Sequence, residues 1–502
     1  MNAEKKLTER TLSGFLWMIT GSGIQVGLKI GVLAILARLI SPKEFGIVGM
    51  AVIAVDFSKM FSQMGVGPAI VQRKELENRH LTTGLTLSIF MGLFFAGLLI
   101  LTAPLLADFF RMPGLVSVLR MVSLIFLVDS LTLVGQALMQ RNMNFKTIAA
   151  VEVASYAIGY GAVGIVLAYL GWGMWALVAA LITQAVLHAL LVVIIQPFPK
   201  KPGFEKAAFK ELINFGGGMT LARLGNFLAV QGDNLVIGRM LGAGALGIYG
   251  RAYQFMVMPA SLFGNALDKS LFPAMAKVQD DKARLGKAYL TGVSSIALVA
   301  IPLSIVFMIL APEIVLLLLG PKWNAVVFPF QILACSLLFR MSYKMSDSLA
   351  RATGAVYRRA WRQFLYALFV VVGSYLGQFW GLPGVAVGVA GALVFNFLLM
   401  AHLSIQLTTI TWLDMLKAHL PGLSLGLLTG TITYALSTWS RMYFGSGFLT
   451  LLLTVLGLGL LSALTIWQFP ALFIRDDQKE LLNKLLLKRF KKLSPQSAWT
   501  NS

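Results

Sequence analysis

A chain of 502 residues that is 57% hydrophobic, 13% charged and +0.78 in mean hydropathy is not a soluble globular protein, whose charged fraction is about 25%. Its net charge of +21 does not point to nucleic acid, because Lys and Arg sit in short loops between apolar blocks, where they act as topology signals. The single cysteine, Cys335, excludes a disulfide framework and a cysteine metal site, and its apolar surroundings read it as a packed core thiol.

The apolar blocks are long enough to cross ~30 Å of hydrocarbon as helices. The first, Thr11–Ile40, is too long for a signal-peptide core and lacks a small-residue cleavage site, so it stays as span 1, at 12–38. Spans 2 to 6 follow at 45–64, 82–107, 115–139, 147–170 and 172–196. Spans 7 to 12 lie at 212–238, 245–267, 288–311, 325–350, 362–380 and 384–408, and spans 13 and 14 at 415–437 and 446–468. The expected fold is an all-α polytopic membrane protein with 14 transmembrane helices, and no connection is long enough for a folded extramembrane domain. With the N-terminus in the cytoplasm, the inside segments are the basic ones, among them MNAEKKLTER, QRKELENRH, PKKPGFEKAAFK and DKSLFPAMAKVQDDKARLGK. The outside loops hold only Lys43, Arg111, Arg239, Lys322 and Arg441. That asymmetry places both termini in the cytoplasm. The tail segment Arg475–Leu493 reads equally well as a basic amphipathic helix on the inner leaflet or as a solvated segment.

One short turn is written twice. ARLISPKEFGIVGMA (Ala37–Ala51) aligns without a gap on GRMLGAGALGIYGRA (Gly238–Ala252), matching Arg38 with Arg239, Gly46 with Gly247, Ile47 with Ile248, Gly49 with Gly250 and Ala51 with Ala252. Each copy lies between two spans, and an even number of spans separates them, so the halves share one orientation as a parallel repeat. Residues 1–202 (spans 1–6) then form an N-lobe and 203–410 (spans 7–12) a C-lobe. Residues 411–472 are an appended helix pair and 473–502 a basic cytoplasmic amphipathic tail. Gly46 and Gly49, like Gly247 and Gly250, are three apart on a helix start, a spacing that lets backbones approach closely.

The runs LAILARLISPKEFGIVGMA, MGVGPAIVQRKE, ALMQRNMNFK and DNLVIGRMLGAGALGIYGRAYQFMVMP resemble the polysaccharide transporter family. These are the Wzx-like oligosaccharide-lipid flippases, in the branch similar to colanic-acid exporters, within the multidrug/oligosaccharidyl-lipid/polysaccharide superfamily. The likeness covers about the first 400 residues. It implies a bacterial inner-membrane flippase that moves undecaprenyl-diphosphate-linked sugar repeat units from the cytoplasmic to the periplasmic leaflet. Two six-helix lobes would rock around a central cationic cavity, with the repeated turn as the hinge region at Gly46, Gly49, Gly247 and Gly250. Implied partners are the lipid-linked oligosaccharide diphosphate, membrane lipids and the polysaccharide polymerase and export machinery, with no nucleic acid and no cofactor.

Beside that resemblance stand the charges within or at the edges of spans: Lys29, Arg38, Lys59, Arg120, Arg223, Arg251, Arg340 and Lys344. Each would cost about 2.5–3.5 kcal/mol at a helix centre, so they must face a wet cavity, pair with acids or snorkel. They fall on spans 1, 2 and 4 of each half. Arg340, Lys344, Asp347 and Arg351 form one polar stripe, as do Asp56, Lys59 and Gln63, Arg223, Asn226 and Asp233, and Gln25 with Lys29. The functional reading is an electropositive cavity for a diphosphate head, with Lys29, Lys59, Arg223, Arg340 and Lys344 as substrate-binding candidates. The alternative makes Asp56–Lys59 and Lys344–Asp347 intrahelical pairs, and snorkelling suits Arg38 and Arg251 better than substrate contact. Asp56 and Asp233 are candidates for a coupling ion, since no ATPase domain is present. His80, His188, His402 and His419 have no metal spacing, and NFGGGMT (Asn214–Thr220) lacks the strand and Lys-Ser/Thr ending of a P-loop. A lipid II flippase or a cation-coupled drug exporter of the same superfamily is the alternative function. An enzyme on lipid-linked sugars fits less well, because no outside loop is large.

Overall fold

The computed structural model describes residues 23, 25–63, 65–199 and 201–468, and among them the regular elements are all helices. Span 1 before residue 23 and the basic tail lie outside the described residues. In chain order the helices are α1 (25–39), α2 (Pro42–Ser62), α3 (Val66–Gln72), α4 (Asn78–Phe110), α5 (Leu115–Val122), α6 (Leu124–Arg141) and α7 (Phe145–Tyr156). A π-helical segment (Ala157–Gly164) leads to α8 (Ile165–Tyr169) and α9 (Met174–Ile195). Then come α10 (Lys206–Met240), α11 (Gly242–Ala276), α12 (Lys282–Leu318), α13 (Val327–Cys335) and α14 (Leu337–Ala352). The last four are α15 (Val356–Gly377), α16 (Gly381–Leu407), α17 (Trp412–Phe444) and α18 (Phe448–Gln468).

Among the described residues seven helical stretches are long and apolar enough to cross a membrane, or eight if Pro321–Cys335 and Leu337–Ala352 count as one bent span. The chain is therefore a multi-pass membrane protein. Helices α10 and α11 are long but are not in that set, because they carry polar residues such as Gln231, Asp233, Asn234, Arg251 and Gln254. Between the two ends of α4 the exposed residues are apolar: Phe90, Leu93, Phe94, Leu98, Leu101 and Leu105 form a stripe down the outside, with Leu101 77% exposed. Such a stripe would condemn a soluble helix and suits one that meets lipid.

The chain packs as two compact units. The first comprises Met1–Leu262, Val315–Leu333 and Ala360–Ala392. In it α2 starts sharply because Ser41 caps the helix. The Ser41 Oγ accepts from the Glu44 N–H, and the Glu44 carboxylate takes the Ser41 N–H at 3.0 Å, with Pro42 in the first turn. Glu44 also accepts the Met174 N–H at 3.0 Å, fixing the start of α9 beside the start of α2. The turn between α10 and α11 uses another device, Gly242 at φ +84°, a conformation glycine adopts without Cβ strain. At one end of this unit Arg73 and His80 both bond the Glu211 carboxylate, and Arg79 bonds Glu205 at 2.8 Å. The start of α10 thus sits on the α3–α4 connection, joining two segments that the charge pattern assigns to one membrane side. The His80 and Arg73 donors hold the Glu211 carboxyl below its ordinary pKa.

The second unit comprises Phe263–Ile314, Ala334–Arg359 and Leu393–Ser502. Here Arg441 of α17 grips the fully buried Glu313 of α12 through two bonds of 2.7 and 2.9 Å and adds the Ile309 carbonyl at 2.8 Å. Removing either partner would strand a charge in a low-dielectric setting. Cys335 is exposed, not the packed thiol expected from its apolar neighbours. In a membrane an apolar side chain can be sheltered by lipid as well as by protein.

Candidate functional site

The first unit holds an open cavity of about 470 Å³. Helix α1 contributes Lys29, Leu33 and Leu36 at i, i+4 and i+7, and α2 contributes Phe45, Val48, Gly49, Val52 and Ile53. Tyr156 and Tyr160 come from the end of α7 and the π-helical segment, Leu177 and Gln184 from α9, and Asn234 from α10. Helix α11 completes the wall with Leu246, Gly247, Gly250, Arg251 and Gln254.

The repeat organises this wall. Under the gapless alignment, Leu33 corresponds to Asn234, Phe45 to Leu246, Gly49 to Gly250 and Ile53 to Gln254, and all of these residues line the cavity. The glycines divide the work. A Cβ on Gly46 would overlap the Ala243 carbonyl, and a Cβ on Gly247 would overlap the Pro42 carbonyl. Since Pro42 and Ala243 are themselves equivalent, the two copies meet in a reciprocal backbone contact of the kind a two-fold axis produces. Gly49 and Gly250 have nothing within 4 Å of an added Cβ and face the open space instead. Near the same turns Arg38 donates to the Leu317 carbonyl at 2.7 Å, Trp323 Nε1 donates to the Ala37 carbonyl at 2.7 Å, and Arg239 lies over the Phe109 ring.

The cavity holds two cations and no carboxylate among its described lining residues. Lys29 Nζ sits 5.7 Å from the centroid of Tyr156, and the Arg251 guanidinium 4.6 Å from that of Phe45. Arg251 also donates to the Gln254 side-chain oxygen, while its Nε–H is shut off from solvent and has no acceptor among the described residues. The guanidinium as a whole lines the cavity, and its planar fork is suited to an anion with several oxygens. Asp233, next to Asn234, is buried at 1% exposure and accepts from the Tyr249 hydroxyl at 2.7 Å.

The other expected residues lie elsewhere. Lys59 pairs at 2.7 Å with Asp129 of α6, not with Asp56 one turn before it, and this pair sits in a separate recess with Ser62, Gln63 and Ser130. Asp56 is exposed and forms no ion pair among the described residues. Arg223 lies on α10, and its side chain is outside the described residues. Arg340 and Lys344 belong to α14 in the second unit, where Arg340 is buried and Asp347 binds both Arg351 and Arg359. Arg251 was expected to snorkel, and the structure puts it on the cavity wall instead. It stands where the first copy has Met50, between the matched Gly49/Gly250 and Ala51/Ala252 positions. Tyr156, Tyr160, Gln184 and Gln254 carried no signal in the charge pattern.

Comparison with known proteins accords with this architecture. A family model described as polysaccharide biosynthesis protein matches residues 35–328. The lipopolysaccharide biosynthesis protein WzxC of Escherichia coli K12 is 28% identical over 406 residues, covering 80% of this chain and 82% of its own length. The succinoglycan biosynthesis transport protein ExoT of Rhizobium meliloti is 29% identical over 311 residues, covering 61% and 62%. The solved structure of the lipid II flippase MurJ, inward closed conformation, superposes with a TM-score of 0.71 at 14% identity, covering 90% of this chain and 99% of that one. An inward-facing multidrug resistance transporter of the MATE family gives 0.61 at 16% identity, covering 76% and 94%. These structures share the fold. With its repeat, its helical bundle and a family match spanning more than half the sequence, the chain belongs to the polysaccharide biosynthesis protein family, the Wzx-like transporters of the MOP superfamily.

Proposed function

We propose that the protein is a secondary transporter, a flippase that moves undecaprenyl-diphosphate-linked oligosaccharide repeat units from the cytoplasmic to the periplasmic leaflet for exopolysaccharide, capsule or lipopolysaccharide synthesis. It is a transporter and not an enzyme. The observation that carries this reading is the cavity with Lys29 and Arg251 and no carboxylate among its described lining residues. A diphosphate needs such a site, whereas an exporter of cationic drugs needs the opposite charge. The Arg251 guanidinium and the amides of Gln184, Asn234 and Gln254 line the cavity and offer hydrogen-bonding groups for phosphate and sugar oxygens. The apolar tail stays in lipid, so only the head takes the wet path.

In this reading the chain has 14 transmembrane helices in the bacterial inner membrane, with both termini cytoplasmic. An N-lobe (1–202) and a C-lobe (203–410) alternate access about the repeated turns, and residues 411–472 form an appended pair. The reciprocal Gly46–Gly247 contact supports such a closure point, because two packed backbones either meet there or part. Lys59, Arg223, Arg340 and Lys344 remain candidates for substrate contact, and Asp56 and Asp233 are the candidates for a coupling ion. The polymerase and export machinery would take up the product. Mass spectrometry of lipid extracts from the source bacterium, with and without the gene, tests the proposal. Deletion should accumulate an undecaprenyl-diphosphate oligosaccharide that an impermeant glycosidase added to spheroplasts does not reach, and accumulated repeat units open to that enzyme in the deletion strain would refute it.

A further inference from the structure

Resting on the flippase reading, we infer that Tyr156 and Tyr160 form a carbohydrate subsite that takes the sugar nearest the diphosphate. The two rings stand on one wall of the cavity, 17° from parallel and 4.9 Å between centroids. The backbone makes that alignment. Tyr156 ends α7 and Tyr160 lies in the π-helical segment Ala157–Gly164, and the four-residue interval puts both rings on one helix face. Gly159 between them packs on α9, where an added Cβ would come within 2.8 Å of the Ala180 carbonyl and of Gln184. The same close approach brings the Gln184 amide to the cavity. Helical segments of this kind are uncommon and concentrate at functional sites.

An aromatic face offers an apolar, flat surface to the C–H face of a sugar ring. The neighbouring amides of Gln184 and Asn234 offer both donors and acceptors to its hydroxyls. The lysine links this subsite to the anion. Lys29 Nζ rests over the Tyr156 ring at 5.7 Å, and a phosphate oxygen is a stronger partner for an ammonium than a ring face is. An arriving diphosphate draws Nζ away and frees that face, so the sugar platform opens when the anion is in place. A cavity of about 470 Å³ lies at the lower end of sites for small ligands, which span roughly 300–1,000 Å³. It holds the diphosphate and its adjoining sugar and leaves more distant sugars outside.

The test measures binding of two probes, undecaprenyl diphosphate and undecaprenyl-diphosphate-glucose, to the full chain in lipid nanodiscs. The wild type should bind the glycosylated lipid more tightly. Tyr156→Ala and Tyr160→Ala should cut that preference about tenfold, and Tyr156→Phe and Tyr160→Phe, which keep the ring face, should retain it. A wild type that does not distinguish the probes, alanine variants that keep the preference, or alanine variants that lose both lipids equally would each overturn the subsite. If the wild type binds neither lipid, or Arg251→Gln binds both as well as wild type does, the flippase reading falls with it.

Discussion

The turn between α1 and α2 and the turn between α10 and α11 occupy equivalent places in the repeat, yet they are made differently and used differently. The first bends through a capped helix start at Ser41 with Pro42 behind it, and the second through Gly242 in the left-handed region. Both then place a glycine, Gly46 or Gly247, against the other's backbone. Beyond that contact the copies part. Where the second copy sets Arg251 and Gln254 on the wall, the first has Met50, which is buried away from the cavity, and Ile53, so α11 contributes a cation and an amide where α2 contributes mostly apolar groups. The lesson is that the two copies share the geometry of approach while each brings its own cation to the wall, Lys29 from the first half and Arg251 from the second.

The largest effect should come from breaking the shared geometry. Gly46→Val and Gly247→Val push a branched side chain into an opposing carbonyl, an overpacking that costs about 1–3 kcal/mol or more. Both should lower the melting temperature of the purified protein and abolish transport. Gly49→Ala, with open space around the added methyl, should leave the melting temperature unchanged or raise it. Equal melting temperatures for Gly46→Val and Gly49→Ala would show that the reciprocal contact does not matter.

A middling effect should separate charges tied within the first half from charges facing the cavity. Lys59→Met or Asp129→Asn alone leaves one ion without its partner and should reduce thermal stability, whereas the double variant should recover much of the loss. The pair is about a third exposed, which limits the size of the effect. Additive losses in a double-mutant cycle would mean that the pair contributes nothing.

The smallest effect concerns pH. Because the folded state lowers the Glu211 carboxyl below its unfolded value of about 4.3, its contribution is present above that pH and fades as pH falls through the lowered value. Wild-type stability should therefore drop slightly more than that of Glu211→Gln between pH 5 and the acid limit of the measurement. Parallel pH profiles would remove Glu211 from the account.

Much of this architecture is legible in the sequence, because hydrocarbon imposes long apolar runs and charge marks the loops. The repeat is legible too, since Gly46 and Gly247 cannot change without a clash. What a glycine faces is not legible: spacing treats Gly46 and Gly49 alike, while packing makes one a contact and the other a cavity wall. Lys59 likewise has a same-helix acid at a plausible interval, but its partner comes from α6, a tertiary choice with no local mark. Tyr156 and Tyr160 read as ordinary apolar residues until packing sets their stacked rings on the cavity wall.

The most direct test of the central claim is transbilayer movement of an undecaprenyl-diphosphate-linked oligosaccharide in proteoliposomes, followed by its accessibility to a membrane-impermeant glycosidase. Wild-type protein should expose the lipid to the enzyme, and Lys29→Gln with Arg251→Gln, verified as folded, should slow that exposure at least tenfold, a loss of about 1.4 kcal/mol or more. Movement at the wild-type rate in the double variant would contradict an anion-binding cavity built on these two cations.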